Sequence, residues 1–189
     1  MKKLYLLLSM LIFTTLLIGC SNANLNTKVT INKESKNESV LDVGVDYHID
    51  SLEKAKYDIQ IYAKQYNYGK LKESHDLLQI QSMIKNKTRD LSIGLHESDG
   101  NLQVNITQVG VEDSSLGFLL DFFSKSENEL ALSILDNKKE VQLDKELPIA
   151  VYSTHKKGVT TESINLDKDF KIGKNENDLV IYLKMNKLK

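Results

Sequence analysis

The chain has 189 residues, 41% of them hydrophobic and 27% charged, with a formal net charge of −1. These values suit one globular domain with a short extension; they exclude a wholly disordered chain, a collagen-like chain and a multi-span membrane protein. The near-zero charge lacks the cationic field that nucleic-acid binders use, so no nucleic-acid partner is expected.

The first element is a leader. Lys2 and Lys3 precede an apolar run from Leu4 to Ile18, interrupted only by Ser9, Thr14 and Thr15, which is the pattern of a secretory signal peptide. The 16 residues Leu4 to Gly19 would span about 24 Å as a helix, short of the roughly 30 Å hydrocarbon core. The run closes on Leu17-Ile18-Gly19-Cys20, and Cys20 is the one cysteine, so neither an intramolecular disulfide nor a thiolate zinc site is expected. This ending resembles the lipobox of bacterial lipoproteins. The resemblance implies a diacylglyceryl group on Cys20, cleavage before it with Leu17, Ile18 and Gly19 as the recognition residues, and an anchor on the extracytoplasmic face of the cell membrane. Two acyl chains hold a protein stably where one does not. The expected organisation is a cleaved signal peptide over 1–19, a lipidated Cys and polar tether over 20–26 (CSNANLN), and one extracytoplasmic β domain over 27–189.

From there the dominant period is two, the signal of strands. Leu41, Val43, Val45, Tyr47 and Ile49 alternate with polar residues, and so do Tyr57, Ile59, Ile61 and Ala63. Leu91, Ile93 and Leu95 are joined to Leu102, Val104 and Ile106 through Ser98-Asp99-Gly100-Asn101, a hairpin signal. Leu130, Leu132 and Ile134 run through Asp136–Lys139 to Val141 and Leu143, which predicts a second hairpin. Leu147, Ile149 and Val151 form a further strand, with Pro148 near its start. Leu179, Ile181, Leu183 and Met185 form the last. Weaker extended segments are Thr27–Asn32 and Ile164–Ile172. Leu71–Lys85 reads as a strand around Leu77–Met83 or a short helix, and Gly117–Ser124 leaves both open. The expected fold is all-β, an antiparallel β-sandwich of about 8–10 strands with room for one short helix, a barrel being the alternative. The body is also similar to small, uncharacterised lipoproteins of low-GC Gram-positive bacteria, on its strand reaching Tyr62, its Tyr66-Asn67-Tyr68-Gly69-Lys70 segment and its Asp-Gly hairpin after Leu95-His96. That likeness implies an extracytoplasmic β domain and carries no site residues.

Candidate chemistry is sparse. Asp42, Asp46, His48 and Asp50 share one strand face and are metal-ligand types. Same-face neighbours stand about 6.6–6.8 Å apart, so a neighbouring strand must help; the simpler reading is a solvated face. Tyr62, Tyr66 and Tyr68 offer amphipathic contact area for a sugar or protein, or simply fill β structure. His48, His75, His96 and His155 are scattered without zinc-site spacing. Ser153–Gly158 reads as a polar loop. Phe118, Leu119, Leu120, Phe122 and Phe123 read as core, with an apolar docking patch as the alternative. No P-loop, dinucleotide fingerprint or nucleophile elbow is present, so neither a cofactor nor catalysis is expected. With 24 Lys and one Arg (Arg89), a site of several bidentate guanidinium clamps is disfavoured. The function expected is a non-enzymatic binding module in the cell envelope, its partners the membrane through Cys20 and an envelope protein or wall polymer. The alternatives are metal or small-ligand capture and an envelope hydrolase without a recognisable motif.

Overall fold

A computed structural model describes residues 29–33, 43–51, 55–84, 89–95, 101–108, 111–119, 128–156, 164–168 and 170–188. Among these the chain is all-β and no residue is helical. The strands are β1 (Val29–Lys33), β2 (Val43–Ser51), β3 (Ala55–Asn67), β4 (Lys70–Ile84), β5 (Arg89–Leu95), β6 (Asn101–Gln108), β7 (Val111–Leu119), β8 (Asn128–Ile134), β9 (Lys139–Val141), β10 (Glu146–Lys156) and β11 (Asn177–Lys187). They form two sheets, ordered β7-β6-β5-β2-β1-β9 and β4-β3-β11-β10-β8. The pairings are antiparallel. The sheets pack face to face as a β-sandwich, with one core made from the inward parity of both.

The alternation read from the sequence sets which side chains enter that core. In β2, Val45, Tyr47 and Ile49 are buried, and in β3 so are Tyr57, Ile59, Ile61 and Ala63. The Tyr47 hydroxyl donates to Ile149 O (2.6 Å) and accepts from Leu135 N (3.1 Å), bolting the six-stranded sheet to the other. Burial first, then the neighbouring Tyr152, Asp167 and Asp136, pushes its pKa far up; the backbone hydrogen bond from Leu135 opposes this without reversing it. The Tyr152 hydroxyl donates across the same gap to Val43 O (3.3 Å).

Four expectations change. Leu71–Ile84, the described part of the segment Leu71–Lys85, belongs to a strand, β4, longer than expected and placed at a sheet edge. Its register slips against β3 between Ile61 and Tyr62 and between Gln65 and Tyr66. The first bulge lets consecutive Leu77 and Leu78 both enter the core, and bulges also blunt an edge against stray pairing. The second expected hairpin does not form: β8 pairs with β10 while β9 pairs with β1 in the other sheet. Apolar alternation on either side of a polar turn looks the same whether the chain doubles back or crosses between sheets. Asp167 holds this crossing by accepting from Asp136 N (3.2 Å) and Asn137 N (2.8 Å). Ser153–Lys156 is not loop but the end of β10. Finally, Ile164–Ile172 is not a strand in its described residues; Ile164, Leu166 and Phe170 pack on the core cluster.

Candidate functional site

The tyrosines expected to bind lie on β3 and its turn, on the outward parity of the five-stranded sheet. Tyr62 pairs with Tyr182 of β11, and Tyr66 with Asp178. This cross-strand register stacks the Tyr62 and Tyr182 rings (centroids 5.5 Å apart, 14° between planes), and Phe170 meets Tyr182 edge-on at 6.3 Å. The Tyr66 and Tyr182 hydroxyls are 3.4 Å apart. Lys64 Nζ stands 4.9 Å from the Tyr182 centroid and 5.5 Å from that of Tyr62, a cation–π placement. It also donates to both oxygens of Glu146 (2.7 and 2.9 Å).

The electrostatics follow from that packing. Burial pushes the Tyr62 phenol far above its ordinary range, and the neighbouring Glu146 carboxylate adds to the shift; the hydroxyl itself makes no hydrogen bond of good geometry. Tyr182 moves the same way through burial, then through Tyr66 and Glu146. For Glu146, burial works to raise the pKa, but Lys64, the Tyr62 hydroxyl and Lys184 outweigh it and hold the carboxyl below its ordinary value. Both phenols therefore stay neutral and Glu146 stays ionised. Tyr62 and Tyr66 are only partly accessible, and the Tyr62 ring and the Tyr66 hydroxyl are engaged with Tyr182.

Tyr68 differs. It stands in the turn joining β3 to β4, with its backbone at φ 48°, followed by Gly69 at φ 76°. Two successive positive φ angles make a two-residue hairpin turn, a place that favours Asn, Asp or Gly first. Its ring is 62% exposed, and Leu71 beside it 57%. The turn is held from below. Tyr68 N donates to Asn175 O (3.0 Å), and Asn67 Nδ2 donates to Glu176 O (2.8 Å). A Cβ on Gly69 would lie 3.1 Å from Gly173 O, so this position needs glycine for space as well as for φ.

Beneath the turn lies a buried polar node that the sequence did not mark. Ser153 Oγ donates to Asp178 Oδ1 (2.5 Å) and Asn175 Nδ2 donates to the same oxygen (2.9 Å). Asp178 is fully buried, and its Oδ2 accepts no hydrogen bond. The serine hydroxyl thus faces a carboxylate rather than an imidazole. His155, two residues on, lies with Nε2 3.4 Å from Glu129.

On the other sheet, His48 Nδ1 meets Asp90 Oδ1 at 2.5 Å, a pair set by direct register between β2 and β5. Asp46 and Asp50 lie one same-face step to either side, and Asp42 lies outside the described residues. Among the described residues no group of three His, Cys, Asp or Glu side chains converges to hold a metal. His48, His75 and His155 sit on different strands, each beside its own carboxylate; His96 lies outside the described residues. So do Leu17, Ile18, Gly19 and Cys20, and Leu120, Phe122 and Phe123 of the aromatic run.

Tyr182, Phe170, Lys64 and Glu146 were not singled out from the sequence. One signal was available for Tyr182: the unbroken apolar run Leu179–Leu183 marks a strand covered on both faces. Compared with family models, with curated proteins and with solved structures, the chain matches none.

Proposed function

We propose that the protein is a lipoprotein held on the extracytoplasmic face of the cell membrane by a diacylglyceryl group on Cys20, and that its β-sandwich is a non-enzymatic binding module of the envelope. The observation that carries the anchor is the Leu4–Ile18 run closing on Leu17-Ile18-Gly19-Cys20 in a chain with no other cysteine. Cleavage there leaves 23 basic against 26 acidic side chains, a net charge of −3.

Two features support a binding module over an enzyme. The Ser153 hydroxyl is buried and spent on Asp178, which is fully buried too, whereas a serine nucleophile must be open to its substrate. Exposed aromatic and aliphatic surface collects at the β3–β4 turn, where Tyr68 and Leu71 project.

The test of the anchor is Cys20→Ala in cells fed a labelled fatty acid. The expected result is loss of label from the protein and accumulation of the longer, uncleaved form. Undiminished labelling of the variant overturns the anchor. A photo-crosslinking residue at position 68 then tests the module: capture of an envelope component, lipid, polymer or protein, that is lost when Leu71 becomes Ser supports it, and capture unaffected by that change speaks against it.

A further inference from the structure

We infer that the β3–β4 turn is a second membrane contact, seating Tyr68 and Leu71 in the interface of an anionic bilayer while Lys70 and Lys72 meet its headgroups. The inference rests on the anchored reading above for its biological setting, but not for its test.

The first observation is a conflict between local and tertiary preferences. A bulky aromatic at φ 48° is a poor choice for a two-residue turn, where Asn or Gly adopts the conformation more readily. Core packing does not compensate, because the Tyr68 ring is 62% exposed. Folding therefore does not account for tyrosine at this position. Strained residues of this kind cluster at functional sites.

The second is the company it keeps. Among the residues whose side chains are described, three large hydrophobic ones are exposed, and Tyr68 and Leu71 are the two most exposed. Lys70 and Lys72 flank Leu71 and are exposed as well. The first acid after them, Glu73, is turned to His75, 3.6 Å away. Tyrosine with lysine beside an aliphatic side chain is the composition of a membrane interface: the ring sits at headgroup level and the ammonium groups meet anionic lipid. Leu71 separates this from a hydrated polyanion, which offers an isobutyl group no hydrocarbon to enter. The small size of the tip separates it from a stable protein interface, which takes about 20–30 residues on each side.

The third is where the tip lies. Val29, the first residue of β1, pairs with Ser51 at the end of β2, and β3 begins at Ala55. The chain thus enters at the end where β3 starts, and the turn lies where β3 stops. The 13 residues of β3 make that separation about 40 Å at 3.3 Å each. The nine residues from Cys20 to Lys28 reach about 30 Å when extended, enough for the domain to lie down. Attachment at both ends then sets its long axis along the membrane, and even a weak tip contact is effective once the anchor has raised its local concentration.

The chain contains no tryptophan, so Tyr68→Trp installs a single indole reporter at an exposed position. Purified full chain carrying Tyr68→Trp is mixed with phosphatidylglycerol vesicles, with phosphatidylcholine vesicles and with linear polyphosphate. The expected result is a shift of the indole emission to shorter wavelength with phosphatidylglycerol, quenching by lipids brominated in their acyl chains, and loss of the shift when Leu71→Ser or the pair Lys70→Glu and Lys72→Glu is added. Raising salt to about 1 M, where the Debye length is about 3 Å, should weaken it. Emission unmoved by vesicles overturns the inference, as does an equal shift with phosphatidylcholine. A response to polyphosphate without one to vesicles overturns it in favour of an anionic polymer. The same measurement on the chain that also carries Cys20→Ala separates the two proposals, since the indole reports on the tip whether or not Cys20 carries lipid.

Discussion

Strands β2 and β11 both supply core side chains, yet their outward parities have opposite fates. In β2 the outward residues Gly44, Asp46, His48 and Asp50 are half-buried, and His48 turns to Asp90. In β11 the outward residues Asp178, Val180 and Tyr182 are as buried as the inward Leu179, Ile181 and Leu183. The cause is cover. Described residues between β10 and β11 lie against this sheet, Asn175 on Asp178 and Phe170 on Tyr182. A sheet face gains stability from outward apolar residues only where something displaces water from them.

Substitution on each of the two outward faces tests this contrast most severely. Val180→Asp should cost about 3–5 kcal/mol, because it leaves a buried carboxylate without a partner, whereas His48→Gln should change stability by less than about 1 kcal/mol, the scale of an exposed pair. Urea unfolding of the two variants checks both, and near-equal losses would mean that the outer face of β11 is open to water.

A smaller effect concerns pH. Glu146 has its folded-state pKa below the ordinary value of 4.5, so its pairing with Lys64 adds stability above that value, and the gain disappears as pH falls through the lowered one. The pair is partly exposed, which limits the gain to less than about 1 kcal/mol. Glu146→Gln should therefore unfold slightly more easily than the parent at pH 7, and the difference should vanish under acid. A constant gap across that range would assign the effect to packing against Tyr62.

The last expected change has the opposite sign. Tyr68→Asn relaxes a left-handed backbone position and should stabilise the fold by about 0.5–1 kcal/mol, visible as a higher melting temperature. A lower one would show that the Tyr68 ring packs usefully in the folded state.

Much of this arrangement was legible in the chain. Period-two alternation located β2, β3, β5, β6 and β10 and assigned the inward residues of β2 and β3, because a half-buried strand must place like with like on each face; in β10 the register shift between Pro148 and Ala150 turns Ala150 and Tyr152 inward and Val151 outward, opposite Val180. The Asp-Gly signal identified the β5–β6 pair, which the register Leu95 with Leu102 shows. The β8–β9 crossing was not legible, since local pattern carries no information on which sheet a strand joins. Nor was the aromatic stack: Tyr62 and Tyr182 are 120 residues apart, and only the pairing of β3 with β11 makes them neighbours.

By itself, then, the sequence determined the all-β class, the inward faces of strands without a bulge such as β2, and the motif at Cys20, because each depends on residues close in the chain. The tertiary structure decided which outward faces are covered, which tyrosines are spent on one another, and that Tyr68 and Leu71 stay exposed at the end of the sandwich away from Val29. Those outcomes depend on which strands pair and what the connecting segments lie against, and both are settled by contacts between residues distant in the chain.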